Sequence, residues 1–286
     1  MTRAGPVRLV RRLLRPLVPR GLVPHLFRGW VWLVTVYERL FIRDRDPYLP
    51  PPRLRFKVAG SPDRGDYLSN GRQLMRDIET ALNRLGHNIR DFKDILDFGC
   101  GCGRTLRWLA DRPSGCNLYG SDVDGEAIGW CRQHLDFASF SRNPPLPPTD
   151  YKPGSFDLIY LISVFTHLNE EYQLRWLEEL ERLTRPGGVV LISVHGPYVA
   201  GMKLSEEQLD RVRGKGIFFL SDAFWKLYFP NFYQTCFHTP EYIRQTWSKF
   251  FDVADYIERG VGNWHDLVVL RKRKTKGERE RMKDEG

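Results

Sequence analysis

Short apolar runs alternate with helical repeats through the middle of the chain. Asp94-Ile95-Leu96-Asp97-Phe98 predicts a strand that halts at a glycine-rich turn, with a helix following over 104–111. A second strand is predicted over 117–122, a helix over 126–134 and a short third strand over 136–141. Residues 156–162 form a strongly apolar fourth strand. Residues 170–183 form a helix with Leu174, Trp176, Leu177 and Leu180 on one face. The turn Arg185-Pro186-Gly187-Gly188 introduces a fifth strand ending at Val194, and a helix over 241–250 precedes strands over 251–257 and 265–270. Near-continuous apolar strands alternating with amphipathic helices predict a mostly parallel sheet covered on both faces.

The ends break this rhythm. Residues 1–55 are Arg-rich, then aromatic, and close on Leu49-Pro50-Pro51-Pro52, which predicts an N-terminal helical extension. Residues 56–272 form the α/β domain, with an insertion at about 196–239 rich in aromatics such as Phe218, Phe219, Phe224 and Trp225. Residues 273–286 carry mixed charge with little to bury, which predicts a disordered tail.

At 286 residues and 42% hydrophobic, the chain can bury a substantial core, and wholly disordered or collagen-like classes are excluded. Five cysteines without zinc spacing fit a reducing, cytoplasmic compartment, and no metal site is expected. No apolar stretch reaches the roughly 18 residues that span a bilayer. The net charge of +9 resides at the ends: residues 1–30 hold seven arginines and no acid, while the 240 residues between 31 and 270 are close to neutral. On that distribution nucleic acid is an unlikely partner. Val7, Val10, Leu14 and Leu17 recur at helical spacing opposite Arg8, Arg11, Arg12 and Arg15. This pattern predicts that residues 1–48 meet an anionic membrane surface, as a peripheral membrane protein would. A targeting leader or a helix packed on the domain fits the same pattern.

The chemistry centres on Asp97-Phe98-Gly99-Cys100-Gly101-Cys102-Gly103. Glycines at alternate positions let a ligand lie against the main chain at the carboxyl edge of the sheet. Asp122 closes the next strand, where a carboxylate can accept from both hydroxyls of a ribose. The dinucleotide fingerprint Gly-x-Gly-x-x-Gly fails, because Arg104 and Leu106 stand where the last glycine is needed, and no phosphate-loop string occurs.

The remaining pattern resembles the class I S-adenosylmethionine-dependent methyltransferases. Leu118-Tyr119-Gly120-Ser121-Asp122, Gly154-Ser155-Phe156-Asp157-Leu158-Ile159 with Ser163 to Leu168, and Leu183-Thr184-Arg185-Pro186-Gly187-Gly188 are similar to its later motifs, in order, over roughly 66–195. The resemblance implies an α/β fold with a doubly wound, seven-stranded, mostly parallel sheet (the Rossmann-like methyltransferase fold) and S-adenosyl-L-methionine as cofactor. It further implies that Asp97, Gly99, Cys100, Gly101 and Gly103 surround the methionine part, and that Asp122 holds the ribose with Val123 beside the adenine. Tyr67 and Gly71 would close over the cofactor. The acid common after the third strand is missing, and Asn143 stands in its place beside Arg142.

Asn143-Pro144-Pro145-Leu146 lies before the fourth strand and lacks a stacking aromatic, unlike the motif of nucleobase amino-methylases. No cysteine follows a proline, as covalent cytosine methylation would need. A hydroxyl, or a nitrogen outside the nucleobases, of a small molecule or glycan is therefore the expected acceptor, with His167 and His195 as candidate catalytic bases. A protein or RNA methyltransferase, or a non-catalytic cofactor-binding scaffold, is the alternative.

Overall fold

In the computed structural model, residues 23–42, 46–111, 115–220 and 235–274 are described. The basic pattern at residues 7–17, the aromatic run 224–229 and residues 275–286 of the tail lie outside them. The chain divides into two compact units, residues 1–67 and 68–286.

The first unit contains α1 (Val23–Phe41) and α2 (Pro52–Ala59), and α3 (Arg64–Arg84) starts in it. Proline at the first position starts α2, and Gly60 ends it in the left-handed conformation (φ 68°). Arg55 is buried here. Its guanidinium donates to the carbonyls of Pro62 (2.7 Å) and Pro50 (2.8 Å) and pairs with Glu38, so the cation is satisfied on every side. Leu26, Trp32, Leu33, Tyr37, Leu40 and Phe41 of α1 are exposed. No described helix is long and apolar enough to cross a membrane.

The second unit is built on a seven-stranded sheet of β1 (Asp94–Phe98), β2 (Asn117–Asp122), β3 (Ser139–Arg142), β4 (Phe156–Leu161), β5 (Thr184–Val194), β8 (Asp252–Val261) and β9 (His265–Arg271). Its order is β3-β2-β1-β4-β5-β9-β8, parallel except at β9, which runs antiparallel to both β5 and β8. Strand order reverses between β1 and β4, and the crevice outside the carboxyl ends lies at that switch. One face packs Leu96, Phe98, Ile159, Leu161, Val190 and Ile192 against Trp176, Leu177 and Leu180 of α5 (Glu170–Leu183) and Ile243 and Trp247 of α8 (Pro240–Trp247). Fully burying side chains of this size contributes roughly 1.5–3 kcal/mol each. Asn169 caps α5 by accepting from Tyr172 N–H at 2.9 Å, and Thr239 caps α8 in the same way at 3.2 Å.

Between β5 and α8 the chain forms α6 (Pro197–Lys203), α7 (Glu206–Lys215) and a hairpin of β6 (Ile217–Leu220) with β7 (Thr235–His238). The hairpin is fastened to the carboxyl edge: Cys236 N–H donates to Thr166 O (2.8 Å) and His238 N–H to His195 O (2.9 Å).

One predicted element is corrected. After the glycine loop the chain makes only a 3₁₀ segment, Leu106–Leu109, rather than a helix over 104–111. Gly99, Gly101 and Gly103 all take positive φ, so the chain leaves β1 irregularly and regains helical geometry late.

Candidate functional site

The carboxyl edge gathers most of the predicted site residues. Asp97 pairs with Gly120 in the β1–β2 register, two residues short of Asp122, so the two acids end adjacent strands. Gly101 N–H donates to Asp122 Oδ2 (2.8 Å) and Asp124 N–H to Asp122 Oδ1 (2.8 Å). These bonds hold the carboxylate in the loop. Asp124 is the helix cap: it accepts from Glu126 N–H at the start of α4 (Gly125–His134), which releases Asp122 from that duty. Val123 follows at the mouth of the loop, and its carbonyl accepts from Arg142 Nε (3.1 Å).

Asp97 is fully buried. Burial pushes its carboxyl up to about 7, assisted by the neighbouring Asp122 and opposed by the Tyr160 hydroxyl and Arg104. An acid poised near neutrality at a ligand edge is fitted to meet a cation, whose arrival drives it to the anion.

The glycines are needed for space as well as for φ. A Cβ on Gly99 (φ +80°) would lie 2.3 Å from Val164 Cγ2, and one on Gly103 2.7 Å from Leu135 Cδ1. Gly71 belongs to a different packing: its missing Cβ lets α3 approach the carbonyl of Arg104 and the indole of Trp108. Tyr67, one helical turn earlier, is fully buried and falls in the first unit. Cys100 is buried with its thiol held up by burial, and both its Sγ (3.6 Å) and that of Cys131 (3.5 Å) approach Gly101 O, a packing arrangement.

Asn143 follows β3, and its N–H donates to Asp122 O (3.1 Å). Its Nδ2 donates to Pro144 O (2.9 Å), while Oδ1 is buried without a hydrogen-bond partner. An orphan acceptor here suits an amino group such as that of adenine. The left-handed glycine cradle, the Asp122 carboxylate and this orphan acceptor together fit an adenosyl ligand with a cationic tail.

Across the switch point the edge carries imidazoles. His195 directly follows β5, and its ring centroid lies 6.3 Å from that of His167 and 4.8 Å from that of His265, which opens β9. The Nδ1 of His195 is 3.0 Å from Cys236 O, so it is the protonated nitrogen and Nε2 is the ring's acceptor. Burial, with His265, Lys203 and His167 nearby, pushes His195 far below the ordinary imidazole range. His265 is lowered to about 4 by burial and by Lys203 and Arg104. Ser163, just past β4, takes φ +62° and donates its N–H to Ser193 Oγ (2.7 Å). His265 was missed by sequence reasoning, because only the antiparallel turn from β8 brings the start of β9 to this edge.

A family model described as a methyltransferase domain matches residues 70–250. The tRNA N(3)-methylcytidine methyltransferase trm140 of Schizosaccharomyces pombe is 25% identical over 82% of this chain and 74% of its own length. The tRNA N(3)-cytidine methyltransferase METTL2 of Danio rerio is 24% identical over 67% of this chain and 60% of its own. Among solved structures, a SAM-dependent methyltransferase from Methanosarcina mazei superposes with a TM-score of 0.50 at 18% identity, covering 68% of this chain and 98% of that one.

These relatives correct one expectation. The expectation that nucleic acid is an unlikely partner does not stand beside relatives named for tRNA, which favour the RNA alternative over a small-molecule acceptor. The near-neutral charge of residues 31–270 conceals local basicity: Lys203 acts on both His195 and His265, and Arg104 on His265. The match over most of the chain, joined to this sheet and this loop, makes the protein a member of the class I S-adenosylmethionine-dependent methyltransferases, with S-adenosyl-L-methionine as its cofactor.

Proposed function

We propose that this methyltransferase acts on RNA, with a ring nitrogen of cytidine in tRNA as its acceptor. The observation that carries this reading is the alignment of tRNA cytidine methyltransferases over 82% and 67% of the chain. When bound, the cofactor supplies a methyl carbon activated by a sulfonium, open to in-line displacement.

The residues then divide by side. Asp97 faces the cationic end of the cofactor, Asp122 accepts from the ribose hydroxyls and Asn143 Oδ1 accepts from the adenine amino group. His195 and His167 stand on the acceptor side. A ring nitrogen attacks through its own lone pair and has no proton to lose first, so the site needs no strong base. That agrees with the neutral state in which burial holds His195. Its Nε2 is an acceptor suited to an exocyclic amino N–H, which makes it a positioning residue.

Full-length protein, labelled S-adenosylmethionine and separate tRNA, glycan, lipid and peptide fractions test this reading, with digestion of labelled RNA to nucleosides for mass spectrometry. Label in tRNA as N3-methylcytidine is expected. Label confined to glycan or lipid would reject the proposal.

A further inference from the structure

Beyond the imidazoles, the same edge carries two aromatic rings, each with a cation beside it. Tyr198 of α6 is 39% exposed, and its ring meets that of Trp264 edge-on at 5.8 Å. The Arg259 guanidinium lies over Tyr198, 4.2 Å from the ring centroid, and Lys203 Nζ lies 6.0 Å from that of Trp264. Tyr198 stands three residues after His195, and Trp264 directly precedes His265.

The backbone beneath is strained and firmly held. Arg259 takes φ +52° in the irregular end of β8 and Asn263 φ +54° in the turn to β9, a left-handed conformation that strains a non-glycine residue. Buried Asp266 fixes it, accepting from Arg259 N–H (2.8 Å) and from the Tyr256 hydroxyl (2.6 Å). Gly196 makes room for that carboxylate, since a Cβ there would come within 1.6 Å of Asp266 Oδ2. Asp266 is therefore buried, while Glu258 and Arg259 are both exposed.

We propose that Tyr198 and Trp264, with Arg259 and Lys203, form the landing surface for an unpaired RNA nucleotide flanking the methylated base. The inference rests on the RNA reading above and extends it to a specific surface. An exposed aromatic ring stacks on any base, and flanking cations neutralise phosphates. That pairing is the signature of single-strand binding. The charge complementarity is local: Asp266 is buried and already accepts from two donors, although Glu258 beside Arg259 is exposed.

The test uses full-length protein and a dye-labelled, cytidine-containing single-stranded RNA of about ten nucleotides, alone or annealed to its complement, followed by anisotropy. The variants are Tyr198→Ala, Tyr198→Phe and Arg259→Gly, the last removing the cation while relieving the backbone. Cofactor affinity and melting temperature report on folding. Tyr198→Ala is expected to bind the single strand about 10-fold more weakly, with Tyr198→Phe near wild type. Arg259→Gly is expected to lower the slope of log affinity against log salt by about 0.7. Wild-type preference for the single strand over the duplex is part of the expectation. Unchanged affinity and salt slope in variants of an RNA-binding wild type would overturn this surface alone. A wild type that binds neither RNA would overturn the RNA reading and this inference together.

Discussion

Replacing Asp97 with asparagine separates what this side chain does for the fold from what it does for the cofactor. In the folded chain the carboxyl sits at about 7, against an ordinary value of 3.8. A carboxyl raised that far bears a penalty of about 4 kcal/mol on its buried anion. The sign follows from proton counts. Between pH 4 and 7 the folded state keeps a proton that the unfolded state has lost, so this group's contribution falls as pH rises and the penalty is complete above 7. Asparagine is neutral throughout and removes the penalty. It costs roughly 1–3 kcal/mol where its amide is imperfectly paired. The variant should therefore be more stable than wild type by about 1–3 kcal/mol at pH 8. The gain should shrink and then reverse toward pH 5. At this size each kcal/mol moves Tm by about 2–4 °C. Paired thermal melts at pH 5.5 and 8 measure this difference, and the histidines cancel from it. Cofactor binding moves the opposite way. A cationic ligand needs the anion, so wild-type affinity should drop up to tenfold for each pH unit below 7, and calorimetry in buffers of different ionisation enthalpy should detect proton release. Asp97→Asn should bind at least 100-fold more weakly, without that pH dependence. A variant equally destabilised at both pH values, or a wild-type Kd that is flat from pH 5.5 to 8, would refute the reasoning.

Three further outcomes are expected. His238 (lowered to about 3), His265 (about 4) and His195 (lower still) are all held below the imidazole range by burial, so the unfolded chain takes up their protons first. Stability present above pH 6.5 should then be lost below it, at about 1.4 kcal/mol per pH unit for each histidine, as urea midpoints across pH 4.5–7 would show. Gly99→Ala combines a left-handed strain with a 2.3 Å approach to Val164, and should cost about 2–4 kcal/mol and abolish measurable cofactor binding. Gly99→Ala with Val164→Ala should recover part of the stability in denaturant titrations. Gly196→Ala collides with Asp266 and should lower Tm by several degrees while leaving the cofactor Kd within about twofold, because the glycine loop is untouched.

The strands and helices of the first half of the sheet were legible because their signals are local. β1 runs from Asp94 to Phe98 as its apolar run predicts, and α5 from Glu170 to Leu183 as its apolar stripe predicts. The acceptor half was not, because its neighbours are made by topology. Nothing in the sequence near Trp264, His265 and Asp266 shows that an antiparallel strand starts beside His195 and Gly196. The helix α3 carries a readable period, with Leu74, Met75, Ile78, Ala81 and Leu82 buried, but Gly71 interrupts it for the sake of a close packing contact. The near-neutral charge of residues 31–270 misled about nucleic acid for a related reason: it counts residues without regard to where the chain brings them.

Because β9 runs against its neighbours, its first residues rather than its last reach the ligand edge, and the turn that feeds them is a short segment closed on itself through Asp266. On the proposed reading, acceptor preference would drift, or be redesigned, by exchanging the few residues between Glu258 and His265. The methyl donor's cradle on the far strands would be carried along intact.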